Sequence, residues 1–289
     1  MRTITSINGK FVTGSDARIS VFDNALLYAE GLFETMLGIG ERLVFLDEHL
    51  DRLERGADVI GLTIPVKREL IVRWLKSAAR AHPAQIKKVR LTVTSGESAR
   101  WTSKAGMPQV IVTAAPHEIP VKPYRLYLSD LRVDQRSVFR RIKTLSYSIH
   151  AAALRQAKAR RCDDALLLNE AGRLAEVTSA NLFWVKQNRV HTPPLSAGCL
   201  AGVTRDAVIR ELRTLGLKVI ESAGRLDTLT SADEVFISSS LKLVIGVSRI
   251  VSDEQTIDVP RGRVTRILSR HFQCQLGLLK RIARRPPAA

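Results

Sequence analysis

Hydrophobic and polar positions recur along this chain with two periods, and the switches between them predict its elements. Residues 3–13, TITSINGKFVT, have strand character on both sides of Asn8-Gly9. That dipeptide suits a two-residue hairpin turn because both positions tolerate positive φ, so an opening hairpin is expected. A strand at Thr35-Met36-Leu37, entered from Leu26, should turn at Gly38-Ile39-Gly40 and pair back through Leu43-Val44-Phe45. Gly38 and Gly40 lack the third glycine and following helix of a dinucleotide fingerprint, so they predict only a turn. A helix begins at Leu46–Leu53 with acids in its first turn, and Lys67–Ala81 is amphipathic at the helical period. Lys88–Thr94 and Gln109–Ala114 alternate as strands around a polar loop, Ser95–Gly106.

Pro116, Pro120 and Pro123 then interrupt the pattern. Such proline spacing predicts an interdomain linker, taken as 118–130, between a domain over 1–117 and another over 131–289. Beyond it, Ile149, Ala152, Ala153, Leu154 and Ala157 predict a helix shortly after Lys143. Asp164–Leu168 and Arg173–Val177 predict strands joined by a turn at Asn169–Gly172, with a further strand over Asn181–Val185. Gly202-Val203-Thr204-Arg205-Asp206 opens a helix carrying Ala207, Val208, Ile209, Leu212 and Leu215, for which Thr204 is a candidate N-cap. A strand at Glu234–Ile237, the serines 238–240, a strand pair around Gly246 and a helix over Arg261–Leu276 complete the pattern. Strands and helices mix in both halves, so the predicted class is mixed α/β (α+β) in two domains.

Composition narrows the function. Hydrophobic residues make up 45% of the 289 residues and charged residues 25%, which suits folded domains with real cores. No run of eighteen apolar residues or signal-like N-terminus is present, so no membrane partner is expected and the cytoplasm is the expected location. Cys162, Cys199 and Cys274 are far apart and form no C-x-x-C pair, which predicts neither a disulfide framework nor a metal site. The net charge of +17 would suit nucleic acid or anionic ligands. Its arginines are scattered, however, only the tail from Lys280 is a basic run, and aromatics are too few to form a stacking platform. Anionic small substrates are expected rather than nucleic acid; a non-catalytic basic binding protein is the alternative from another class.

Several residues could carry chemistry. Lys143 follows Arg140-Arg141, and like-charge repulsion with desolvation would release its neutral amine; a solvated surface lysine is the bland alternative. Glu176, between apolar neighbours, needs a positive or hydrogen-bonding partner. The Gly202-Val203-Thr204 helix start can present free N–H groups to a phosphate, although most helix starts bind nothing. Arg52 could pair with Glu48 or Asp51, or could bind an anion.

These segments resemble the fold-type IV pyridoxal-phosphate enzymes, also called class IV aminotransferases. The resemblance rests on Lys143-Thr144-Leu145, Glu176-Val177-Thr178-Ser179-Ala180-Asn181 and Gly202-Val203-Thr204-Arg205. In the N-terminal half it extends to Leu26–Thr35 and to His49-Leu50-Asp51-Arg52-Leu53. It implies a small N-terminal α/β domain, a larger C-terminal pseudo-barrel domain, a homodimer and pyridoxal 5'-phosphate as cofactor. By the same resemblance Lys143 would hold the cofactor covalently and shuttle the substrate proton, and Glu176 would face the pyridine nitrogen. Arg52, Val203, Thr204 and Ser240 would hold the cofactor phosphate, and Ser179 and Ser239 would also bind the cofactor. Tyr147 would meet the ring hydroxyl or line the pocket.

Substrate class is less marked. The D-amino-acid members carry an arginine and a histidine where this chain has Thr94-Ser95-Gly96-Glu97. Aminodeoxychorismate lyases carry Asn-Arg where it has Ser146-Tyr147, and branched-chain members carry Phe-Glu-Gly-Ile-Arg where it has Phe33-Glu34-Thr35-Met36. The expectation is an aminotransferase moving an amino group between a branched-chain or other apolar L-amino acid and a 2-keto acid. Tyr28, Phe33 and Tyr147 would line its pocket, and Arg140 would clamp a carboxylate. The lyase, which makes 4-aminobenzoate, and then the D-amino-acid aminotransferase are the alternatives.

Overall fold

Asn8 and Gly9 take φ of 49° and 81° and join β1 (Ile4–Ile7) to β2 (Lys10–Val12), with Ile7 opposite Lys10. No side chain could replace Gly9, whose Cβ would fall 2.2 Å from the Trp74 indole. The computed structural model describes residues 3–97 and 106–279. The basic tail from Lys280 and most of the expected 95–106 loop lie outside the described residues.

The chain divides into two units. After the opening hairpin the first contains α1 (Asn24–Leu27), β3 (Gly31–Ile39), β4 (Arg42–Leu43), α2 (Leu46–Ile60), α3 (Arg68–Ala81), β5 (Ile86–Thr94) and β6 (Val110–Pro116). Its antiparallel sheet runs β2-β1-β6-β5-β3-β4. Strand periodicity sends Leu32 and Met36 of β3, Val89, Leu91 and Val93 of β5, and Val110 and Val112 of β6 to one face. There they meet Leu50 and Leu53 of α2 and Ile71 and Leu75 of α3. The other phase leaves Phe33 opposite Thr92 and Thr35 opposite Arg90.

Residues Ser137–Tyr147 also belong to this first unit. Thr144 bridges Leu32, the Phe33 N–H donates to the Lys143 carbonyl at 3.0 Å, and the Leu145 N–H donates to the Gly31 carbonyl at 3.0 Å. Ile142 enters the core beneath.

The second unit holds β7 (Tyr124–Val133), α4 (Ser148–Ala159), β8 (Asp164–Asn169), β9 (Leu174–Val177), β10 (Asn181–Lys186), β11 (Arg189–Thr192), α5 (Val203–Thr214), β12 (Val219–Glu221), α6 (Leu226–Thr230), β13 (Glu234–Ser239), β14 (Leu243–Val251), β15 (Thr256–Asp258) and α7 (Arg263–Gln275). The path β12-β11-β10-β13-β14-β7-β8-β9 is one sheet, with β15 on β14. Leu126, Leu166, Leu174, Leu182, Trp184, Ile237 and Ile245 fill its core.

The structure draws three boundaries differently from the sequence. Much of the segment 118–130 is not a free linker, because β7 pairs in parallel with β8 and β14 inside the second sheet. The Lys143 segment, assigned by sequence to 131–289, is claimed by its hydrogen bonds to β3 for the first unit. Gly246 lies inside a single strand, opposite Phe236, rather than between two strands. Among the described residues, no helix is long and apolar enough to cross a membrane.

Candidate active site

In the first unit, pairing of the Lys143 segment with β3 sets its half-buried side chain among aromatic rings. Nζ donates to Tyr147 Oη at 3.1 Å and lies 4.3 Å from the centre of the Phe33 ring. Phe33 and Tyr147 meet edge to face, with centroids 5.2 Å apart. The Arg90 guanidinium stacks over the same Phe33 ring at 3.8 Å while its Nε donates to Thr92 Oγ1 at 3.1 Å. Burial pushes the Arg90 pKa down, with the charge of Tyr147 acting the other way. An amine, a phenol and a guanidinium thus gather around one apolar ring. Of the sequence candidates Lys143, Phe33 and Tyr147 come together here. Tyr28 stands exposed at the end of α1, and Arg140 is half-buried in the turn Val138–Arg141.

Arg52 finds a carboxylate partner outside its own helix. It projects from α2 onto β3, where Nε and Nη2 donate to the two oxygens of Glu34 at 2.8 and 2.6 Å. His49 Nδ1 lies 2.6 Å from the same carboxylate, and all three residues are buried. Burial alone would raise the Glu34 carboxyl, but the Arg52 charge and hydrogen bonds, with those of His49, outweigh it and hold the group at about 2. The pair forms because residue 52 lies on the face of α2 turned toward β3.

In the second unit Glu176 is buried on β9 and has the partners that its apolar surroundings demand. Oε1 lies 3.1 Å from His150 Nε2, and Oε2 accepts from the Leu200 N–H at 2.8 Å. Asn181 Nδ2 donates to the carbonyl of the same Leu200 at 2.9 Å, so side chains from β9 and β10 grip residue 200 through both its N–H and its carbonyl. That grip fixes the segment leading into α5. Gly202 precedes the helix, and a Cβ there would fall 1.9 Å from Asn181 Oδ1.

Gly202 is therefore the N-cap residue, and Thr204 lies inside the first turn rather than capping it. Thr204 Oγ1 is buried and has no hydrogen-bond partner among the described residues. Ser238 Oγ, on β13 directly opposite Asn181, is in the same position. A buried hydroxyl without a partner is costly, and two of them near a helix N-terminus suit an anionic ligand. The Glu176 carboxylate suits a protonated ring nitrogen, so this donor set fits pyridoxal phosphate.

Val203 and Thr204 thus stand with Glu176. Ser239 and Ser240 follow Ser238 at the end of β13, where Ser239 Oγ accepts from the Lys242 N–H at 3.3 Å. Ser179 instead donates to Asp164 Oδ2 at 2.5 Å and accepts from Lys242 Nζ at 2.6 Å. Sequence reasoning missed Arg90 and His150. Arg90 occupies an ordinary alternating strand position, but His150 shares a buried helical stripe with Ala153 and Ala157, a signal that was present.

Comparisons with known proteins agree with this chemistry. Residues 31–250 match the family model described as amino-transferase class IV. A protein of Methanocaldococcus jannaschii, provisionally named a branched-chain-amino-acid aminotransferase, is 31% identical over 92% of this chain and 94% of its own length. An aminodeoxychorismate lyase of Bacillus subtilis is 28% identical over 84% of this chain and 85% of its own. The solved structure of a branched-chain aminotransferase from the thermophilic archaeon Thermoproteus uzoniensis, with norvaline, covers 95% of this chain and 95% of its own, with 25% identity and a TM-score of 0.87. The chain belongs to the class IV aminotransferases, a family of pyridoxal-phosphate enzymes.

Proposed function

We propose that this chain transfers amino groups between branched-chain or other apolar L-amino acids and a 2-keto acid such as 2-oxoglutarate. The observation that carries the reading is the Lys143 amine set against Phe33 and Tyr147 with Arg90 on the same ring. Such a surface suits an apolar side chain, with a cation at hand for a carboxylate. The branched-chain relative supports the same class, as does the structural neighbour solved with norvaline.

Bound pyridoxal phosphate supplies an electron-withdrawing ring that makes the proton on a substrate Cα acidic. Lys143 Nζ would hold the cofactor and then take that proton and return it, with Tyr147 Oη as its hydrogen-bond partner. Glu176, fixed by His150 and the Leu200 N–H, would keep a proton on the ring nitrogen. Val203 and Thr204, with Ser238 to Ser240, would bind the phosphate, and Arg52 would add a cation held in place by Glu34. Arg90 and Arg140 are the two candidates for the substrate carboxylate.

A homodimer is proposed from family analogy. The exposed apolar residues Val21, Phe22, Leu26, Leu27 and Tyr28, close together in sequence, offer a surface for it.

Steady-state assays with 2-oxoglutarate test the substrate class. L-leucine or L-valine should outperform D-alanine; preference for D-alanine would overturn the L assignment. The lyase is kept as a second reading on the Bacillus subtilis relative, and pyruvate release from aminodeoxychorismate without an amino acceptor would replace the aminotransferase with it.

A further inference from the structure

Asp164, the first residue of β8, carries a buried carboxyl group, and the reaction above gives it no task. It accepts hydrogen bonds from the hydroxyls of Thr178 and Ser179, both in the turn between β9 and β10. Lys242 reaches the same point from the turn between β13 and β14. Its Nζ donates to Ser179 Oγ at 2.6 Å and lies 3.7 Å from Asp164 Oδ2, and its side chain is only 14% exposed.

Burial pushes the Lys242 pKa down although Asp164 opposes the shift; Lys158 adds a smaller repulsion, and the Tyr124 ring lies 5.7 Å away. A lysine in a surface turn could keep its ammonium in water. Folding it inward costs solvation that the Asp164–Ser179 pair offsets. Ser179 completes the relay, because its single O–H donates to Asp164 while its oxygen accepts from Lys242. That hydroxyl proton is committed to Asp164.

We propose that Lys242 is a positioning residue that, through Ser179 and Asp164, ties the 178–180 turn to the 239–242 turn. It thereby sets the spacing between the Glu176–Asn181 segment and Ser238–Ser240. The first turn follows Glu176 by two residues, and the second carries Ser239 and Ser240. The relevance of that spacing to cofactor binding rests on the function proposed above; the clamp does not.

Amide hydrogen exchange on the full-length protein with its cofactor tests the clamp across the two turns. Ser179→Ala should speed exchange around residues 239–244, and Lys242→Met around residues 177–182, by about tenfold each, as expected for losing a charge-assisted hydrogen bond. Lys242→Arg should restore much of the protection. Unchanged exchange in the opposite turn for both variants would overturn the proposal; if Lys242→Met does not fold, Ser179→Ala decides it alone. The dissociation constant for pyridoxal phosphate, read by tryptophan fluorescence, should rise about tenfold in Lys242→Met and recover in Lys242→Arg. Faster exchange with an unchanged dissociation constant would overturn the link to the cofactor. A wild-type protein that binds no cofactor would overturn the proposed function, leaving exchange to judge the clamp.

Discussion

Lys143, Arg90 and Glu34 make different demands on experiment. Lys143→Ala should lower kcat by at least about 10³-fold, the scale of a positioned general acid–base group, with the protein still folded. Arg90→Ala should raise KM for 2-oxoglutarate at least about tenfold through a lost charge-assisted contact, with a smaller effect on L-leucine. If Arg140→Ala does this and Arg90→Ala does not, the carboxylate belongs to the turn and not the strand. Glu34 makes a stability prediction. Its folded pKa of about 2 lies below the ordinary 4.5, so its contribution is fully present above about pH 4.5 and is lost as pH falls through about 2. That shift corresponds to roughly 3 kcal/mol. Glu34→Gln should remove this pH dependence and, by leaving Arg52 buried without its partner, lower neutral-pH stability by about 3–5 kcal/mol in urea unfolding. Lys143 and Glu176 were singled out in the sequence by the motifs they share with the family, since the neighbours of Lys143 alone also suit a solvated lysine. The Glu34–Arg52 pair was not, since it joins a strand to a helix across eighteen residues, and no local period reports such a contact.

At the scale of elements, the start of α5 is the part most sensitive to shape. Gly202→Ala would drive a methyl into Asn181, whose side chain holds the Leu200 carbonyl. It should cost about 1–3 kcal/mol in overpacking and weaken pyridoxal-phosphate binding in a fluorescence titration; unchanged binding would remove the segment from the phosphate site. The α5 helix, the opening hairpin and the Glu176 strand were readable because each has a strong period or a turn residue with a backbone requirement. β7 was obscured because prolines precede it and Arg125, Ser129, Asp130 and Arg132 break its apolar phase. Thr204 was mistaken for a cap because sequence shows a threonine before an apolar stripe but not which residue first turns helical. The cap lies two residues earlier, at Gly202, just after the gripped Leu200.

For the whole molecule, the exposed strip from Val21 to Tyr28 should be covered in solution. Phe22→Asp with Leu26→Asp should convert a dimer into a monomer in sedimentation velocity; a wild-type monomer would contradict the proposed assembly. The net charge of +17 favours anionic substrates by long-range attraction, so association with 2-oxoglutarate should slow as salt rises. Lys143 is proposed to bind pyridoxal phosphate for transamination of apolar L-amino acids. The most direct test is the near-ultraviolet and visible absorption spectrum of the purified protein with pyridoxal phosphate, recorded before and after L-leucine, with Lys143→Ala alongside. The predicted result is a lysine-bound cofactor band that L-leucine converts to the amine form and that the variant lacks. No protein-bound band, or a band identical in Lys143→Ala, would contradict it.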